Sequence, residues 1–586
     1  MTLIRNAEVV AAAEVPASLT VPAGYTTKLR DATLAFAPWT GLVIESDGFS
    51  AKGGAFTASD PALGWAGIRL EPGAKGRFTG RGGPVRIEEV AGIGAAIYAR
   101  DARLVMNDVE ITGRVQQPAD QDLEVSAVWA TGSDTRATLS NVVMTPHTST
   151  EVMAAAGARI NVTGSTVEGT VGSWGYGGSS RVYAWGNNTI VDGTSAQSYG
   201  LVWHGWPDHT EHPFPTNRLA LLDAWNYGDS FAGSDQGEGA RNNRVQAVTG
   251  ERGFVEARYT SDITAEYAYW GDPSGPDLVR SVVETGSTFD YCPYLSAPSA
   301  GAVVACTPAA GALGGDAVAA DRAEYDAARA AGDMGETSHV EAYVRSSLER
   351  KGPEWADVRR RALGLAARAA SQSDDPRSAA GLIALLAAHA DEGGPDASEA
   401  YRALAVAHAG QQDHVAALAA AEKLAGFGGA DGVQGAVLAA LAYGALDRPD
   451  RAFEVLGRAH PAAADAPDVR MAMRELRLRY PGAEAPAAGA SVVAAPTSDR
   501  TAPMLGAPRP NPTAGRTVIA VHVAAEGPLR ISVVDVLGRE VAVVFDGHAE
   551  PGVREVSFDA GEWAPGVYLV RAAGAGQAVR TFTVHR

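Results

Sequence analysis

Three imidazoles and two carboxylates lie within nine residues at His204-Gly205-Trp206-Pro207-Asp208-His209-Thr210-Glu211-His212. Neutral imidazole and carboxylate are ordinary ligands of zinc and similar ions, which makes His204, His209 and His212 the candidate metal ligands. The spacing is not that of His-Glu-x-x-His on a helix, and Pro207 and Pro213 argue for a loop. The bland reading, a solvated loop without metal or cofactor, is the one we carry forward. General acid and base work would need a carboxylate beside the reacting bond or a pair flanking it. Asp208, Glu211, Glu256 and Arg258 are the candidates, with Asp192, Asp223, Asp229, Asp235 and Glu238 nearby. No pair carries a diagnostic motif, each is equally a turn or surface charge, and whether the chain is an enzyme stays open. Aromatic side chains crowd the same stretch. Among Trp174, Tyr176, Tyr183, Tyr199, Trp203, Trp206, Trp225, Tyr227 and Trp270, exposed rings would stack on sugars, with Trp203, Trp206, Trp225 and Tyr227 the candidates; buried, the same rings would only fill a core, and the sequence leaves the two readings even.

These residues must be positioned by a chain of 586 residues, too long for one ordinary core, and three units are expected. The 68 acidic residues outnumber the 49 basic ones, giving a formal charge of -19 that repels phosphate backbones and argues against a nucleic-acid partner. Lysine occurs only at 28, 52, 75, 351 and 423. Cys292 and Cys306 bracket a segment short enough for a disulfide to close in an oxidising compartment; two unpaired thiols are the alternative. No apolar run reaches the length of a transmembrane helix. Near Met1, Arg5 is followed only by the short run Val9 to Ala13 before Glu14, so a secretory signal is not visible and a truncated or misplaced start is expected.

Residues 1–305 read as short strands broken by Gly, Asn and Asp. A strand, a polar turn and a second strand recur in Arg103 to Ile111, Ala137 to Val143, Arg159 to Val167 and Val182 to Ile190. Aligning Asp108, Asn141, Ser165 and Asn188 gives steps of 33, 24 and 23 residues. Such a period, without helices, predicts a parallel β-helix in which each coil pairs with the next. A tandem of β-sandwiches is the competing fold. The segment Tyr269-Trp270-Gly271-Asp272-Pro273-Ser274-Gly275-Pro276 resembles a motif near the C-terminal end of right-handed, pectate-lyase-like β-helix proteins, which implies polysaccharide lyases and hydrolases among its relatives.

Residues 306–481 turn rich in Ala, Leu and Arg with helical spacing. Glu399 to Ala421 overlays Ala436 to Arg458 at an offset of 37, and the aspartates of Gly410-Gln411-Gln412-Asp413 and Asp447-Arg448-Pro449-Asp450 are placed to cap second helices. These hairpins resemble tetratricopeptide repeats, which implies a spacer or a protein-docking segment. Residues 482–507, rich in Ala, Pro, Ser and Thr, read as a linker.

Residues 508–586 show alternating strands with Asp- and Gly-rich turns, the pattern of a small antiparallel β-sandwich. Pro510-Asn511-Pro512, the turn Asp535-Val536-Leu537-Gly538-Arg539-Glu540-Val541 and the strand Pro565-Gly566-Val567-Tyr568-Leu569-Val570-Arg571 occur in this order. Together they resemble the type A C-terminal sorting domain of type IX secretion cargo. That resemblance implies an outer-membrane translocon as partner, removal of the domain, and delivery to the medium or cell surface of a Gram-negative bacterium. The expected whole is multidomain: a right-handed parallel β-helix that binds polysaccharide or another surface ligand, TPR-like helical hairpins, and a sorting sandwich. A polysaccharide lyase or glycoside hydrolase and a non-catalytic adhesin are the rival expectations.

Overall fold

The computed structural model describes residues 7–480 and 504–584 apart from single residues and short gaps, the longer being 113–125, 204–217, 234–243, 246–252, 297–302, 305–311, 460–465 and 506–512. The chain divides into two compact units, Met1–Ala490 and Ser491–Arg586.

In the first unit the short strands up to Thr288–Asp290 pair in parallel with the strand one turn later, which builds three columns; the last pairings, Thr288–Asp290 with Ala312–Leu313 and Tyr294–Leu295 with Val303–Val304, are antiparallel. The first passes through Thr26–Arg30, Gly48–Lys52, Lys75–Thr79, the start of Arg103–Thr112 and of Arg136–Met144, then Arg159–Thr163, Arg181–Ala184 and Leu201–Trp203. The second takes Thr33–Phe36, Ala55–Ala58, Val85–Glu88, the second halves of the two long strands, Thr166–Val167 and Thr189–Ile190. The third is a separate 11-stranded sheet from Leu19–Val21 to Val282–Val283. Alternation decides which side chains point inward: Leu104, Met106, Val109 and Ile111 are buried while Arg103 and Asp108 are exposed. Between the two halves of the long strands the chain bends at Asp108 and Asn141, whose φ angles are 58° and 51°, a conformation that Asp and Asn tolerate better than most residues.

The coil lengths read from the sequence are correct to within one residue. Val109 pairs with Val142, a step of 33, and Val143 with Thr166 and Thr166 with Thr189, each a step of 23. Asn141 therefore lies over Gly164, not Ser165. Ser165 and Asn188 do lie over one another and tie three turns together. The Val142 amide donates to Ser165 Oγ (3.1 Å), and the Ser165 amide donates to Asn188 Oδ1 (2.9 Å).

Helices follow: α1 (Asp316–Asp333), α2 (Thr337–Glu349), α3 (Ala356–Gln372), α4 (Pro376–Glu392), α5 (Ala397–Gly410), α6 (His414–Ala425), α7 (Gly429–Ala445), α8 (Pro449–Ala459) and α9 (Pro467–Arg479). α4, α6 and α8 bury one stripe each, such as Ala379, Leu382, Leu386 and Ala390 of α4. α3 and α5 are buried almost all round because they lie between those outer helices and the third β column. Asp375 and Asp413 cap α4 and α6, accepting from the amides of Arg377 and Ala416, both at 3.1 Å. The equivalent turns place Gln412 (φ 60°) beside Asp447 (φ 56°) and Asp413 beside Arg448, an offset of 35 and not 37. Asp450 consequently sits in the first turn of α8 and is not its cap. Alanine-rich helices match themselves at several offsets, whereas a turn with a left-handed residue matches at one. No helix among the described residues is long and apolar enough to cross a membrane.

The second unit holds two antiparallel sheets. One has Met504–Leu505, Arg516–Val523 and Gly552–Asp559; the other orders Glu540–Ala549, Gly527–Asp535, Gly566–Ala573 and Gln577–Val584. Ile519 and Phe558 of the first share a core with Ile531, Val533 and Val570 of the second.

Candidate functional site

The third column has two buried faces. Ile97, Val128 and Val152 point into the coil, while Tyr98, Trp129, Met153, Trp174, Tyr176 and Tyr199 enter the helical core. The contact is polar as well as apolar. Glu475 of α9, fully buried, accepts from Trp129 Nε1 (2.7 Å) and Thr131 Oγ1 (2.9 Å). The Arg474 guanidinium lies over the Trp129 ring at 4.5 Å. Asp468, in the first turn of α9, accepts from Trp174 Nε1 (3.0 Å) and Ser198 Oγ (2.6 Å). At the other end of α9, Arg69 donates to the carbonyls of Leu478 and Arg479 and pairs with Glu71, which also binds Arg100 (2.7 Å). A cation bonded to the last carbonyls of a helix satisfies groups that have no partner within it and complements the helix dipole. Burial pushes the Glu71 carboxyl up, yet the hydrogen bonds and charges of Arg69 and Arg100 outweigh it and hold the group below the usual carboxylate range.

Beside this seam is a crevice of about 80 Å³ lined by Asp101, Ser133, Gln412, His414, Glu475 and Arg479. A water needs roughly 10–15 Å³ in such a space, so it has room for a few waters and not for a sugar ring. Burial, with Arg479 nearby, pushes the His414 pKa down, and burial pushes the Asp101 carboxyl up.

Further along the third column lies a polar patch. Ser195, Asp223 and Glu256 occupy one register position in consecutive strands. Ser195 Oγ donates to Asp223 Oδ2 (2.6 Å) and accepts from Gln197 Nε2 (2.8 Å). Gln197, Trp225 and Arg258 form the neighbouring row. The structure thus brings Asp223, Glu256, Trp225 and Arg258 onto one sheet. Trp203 belongs to a different face, in the first column beside Tyr183. His204, Trp206, Asp208, His209, Glu211, His212 and Tyr227 lie outside the described residues, as do Cys292 and Cys306. Among the described residues no group of His, Cys, Asp and Glu could hold a metal ion. In the second unit Asp535 and Tyr568 are backbone register partners on neighbouring strands, with Tyr568 buried and Gly566 opening its strand; Pro510, Asn511, Pro512, Gly538 and Arg539 are outside the described residues.

Fold and site define a class: a multidomain chain with wound parallel sheets, a helical array packed along one of them, and a separate antiparallel module. No protein-family model matches this sequence, and no curated protein is found to resemble it.

Proposed function

We propose that this is an exported, non-catalytic binding protein whose N-terminal winding is a right-handed parallel β-helix that holds a surface glycan. In this reading the helical hairpins are TPR-like and the last unit is a type IX sorting sandwich read by the outer-membrane translocon, which delivers the protein to the cell surface or medium of a Gram-negative bacterium. The observation that carries the export reading is the tail: its turn and strand residues match the sorting pattern, and Asp535 and Tyr568, distant in sequence, are register partners. The glycan reading is supported by the long polar faces of the winding. With α3, α5 and α9 covering much of the third column, the first two columns and the Ser195–Asp223–Glu256 patch are the places for a ligand.

Deleting residues 508–586 in the native host is expected to trap the protein in the periplasm, read by surface proteolysis and fractionation; unchanged surface display would sink the sorting assignment. The neighbouring Asp223 and Glu256 favour a second reading, a polysaccharide lyase or glycoside hydrolase, since carboxylates on adjacent strands lie roughly 5 Å apart at the backbone. Ser195 already engages Asp223, so we expect the full chain to release neither reducing ends nor unsaturated products from uronate-containing or neutral polysaccharides. Product formation abolished by Glu256→Gln would establish the enzyme instead.

A further inference from the structure

The outward side of the first column is basic turn after turn. Register places Lys75, Arg103, Arg136, Arg159 and Arg181 side by side in five consecutive strands. Nearer the N-terminus the same side carries Lys28, Arg30, Lys52 and Arg77. Each is exposed or half-buried. Among the described strand residues of this column from Thr26 to Ala184 no outward position is acidic; in the adjoining turns the exposed Asp47 comes within 3.9 Å of Lys75 Nζ, a surface pair worth little in water. Three of the chain's five lysines stand here, in a protein whose formal charge is -19, so the concentration of positive charge is a property of this face and not of the composition.

We propose that this face binds a linear acidic polysaccharide, with about one carboxylate or sulfate per sugar, laid along the axis of the winding. Strands in a sheet are about 4.8 Å apart, comparable to the advance of an extended pyranose chain per ring, so successive cations meet successive anions. Guanidinium groups bind carboxylate and sulfate oxygens through paired hydrogen bonds. Two heads are held in place: Arg136 Nη1 donates to the carbonyls of Ser133 (2.5 Å) and Thr135 (2.9 Å), and Arg181 donates to Gln372 of α3. Holding a side chain in its binding position lowers the entropy lost on association. Beside the basic row run neutral hydrogen-bonding groups, Thr138, Ser140, Asn161 and Thr163, which suit the hydroxyls of a sugar. Tyr183 continues that row with a ring that can stack on a sugar face. A nucleic-acid duplex, being wider than one column, would meet the acidic remainder of the chain.

This inference deepens the glycan-binding reading and is independent of the export reading. The test is titration of the full chain with polygalacturonate, a sulfated galactan, neutral dextran and oligothymidylate, at low ionic strength and at about 0.15 M salt. Both acidic polysaccharides, or the one whose anion fits, should bind and weaken with salt. The double variant Arg103→Glu/Arg159→Glu should lose at least about tenfold in affinity, while Lys351→Glu/Lys423→Glu, the same change in charge placed on the helical region, should stay within about twofold. If the first variant fails to fold, Arg103→Gln/Arg159→Gln reads the same loss. A folded ladder variant that binds as the wild type does, or tighter binding of oligothymidylate than of either polysaccharide, overturns the proposal. Binding of dextran alone would overturn it and leave the glycan reading standing; binding of none of the four would remove both.

Discussion

Replacing Glu475 with alanine is expected to cost the first unit about 3–5 kcal/mol, because two buried donors lose their acceptor and the nearby guanidinium groups lose a compensating charge. The donors are Trp129 Nε1 and Thr131 Oγ1, and Glu475 itself has no measurable contact with solvent beyond 2%. Together with Asp468, Arg474 and the Arg69 contacts, Glu475 joins α9 to the third column, so the change should loosen the helices from the sheet as well as lower the melting temperature. Limited proteolysis should then cut between the strands and α1 at temperatures where the wild type resists. Glu475→Gln keeps an acceptor and should be much milder. Burial pushes the Glu475 carboxyl up, against the opposing pull of Arg479 and of the bonds from Trp129 and Thr131. A raised carboxyl pKa means that the fold prefers the protonated form. The resulting stabilisation is fully present below the ordinary carboxylate pKa and is lost as pH rises through the elevated one. The stability of the wild type relative to Glu475→Gln should therefore increase as pH is lowered from neutrality. A difference that is flat with pH, or an alanine variant within 1 kcal/mol of wild type by denaturant unfolding, would contradict this account of the seam.

Trp65→Ala is expected to be comparably damaging, at about 3–5 kcal/mol, but in a different place. The indole is fully buried in the winding, stacks on Phe36 with centroids 4.5 Å apart and planes 12° apart, and donates from Nε1 to the Glu88 carbonyl at 2.7 Å. Removing it empties the space between turns and leaves that carbonyl without its partner. In a stacked architecture each turn is stabilised mainly by its neighbours, so the loss should stay local. Hydrogen exchange should accelerate in the turns around Phe36, Trp65 and Glu88 while α3 to α9 remain protected. Trp65→Phe keeps most of the packing and should lose only a fraction of the stability. Uniform loss of protection across the whole unit would show that the winding unfolds as one block.

Much of the winding was legible because its physics is local. Alternation in Arg103 to Ile111 specifies which side chains enter the core, and a bend that suits Asp or Asn recurs at Asp108 and Asn141. The coil length follows from the distance between such bends, and the error of one residue at Ser165 arose because serine and glycine are adjacent there and either can occupy a turn. In the last unit the strands Gly527–Asp535 and Glu540–Ala549 run antiparallel on either side of the segment read as a turn, whose residues 536–539 lie outside the described residues. The helical repeat was detected but set two residues out of register, because alanine carries little positional information.

The docking of the helices on the third column was written only faintly. Ala95-Ala96-Ile97-Tyr98-Ala99 and Ala127-Val128-Trp129-Ala130 are apolar at every position, the mark of strands covered on both faces. Nothing in those runs names the cover. Glu475 and Asp468 look like ordinary charges on an amphipathic helix until the fold brings them, more than two hundred residues along the chain, to the indoles of Trp129 and Trp174. The basic face has the same origin. Arg103, Arg136, Arg159 and Arg181 are unremarkable singly, and their separations vary with the loops between them. The sequence by itself determined the kinds of element, their inward faces and the approximate turn length, since these depend on neighbours a few residues away. Only the tertiary structure decided which turn lies over which, and therefore which charges share a row, because strand register and helix docking are set by contacts between residues far apart in the chain.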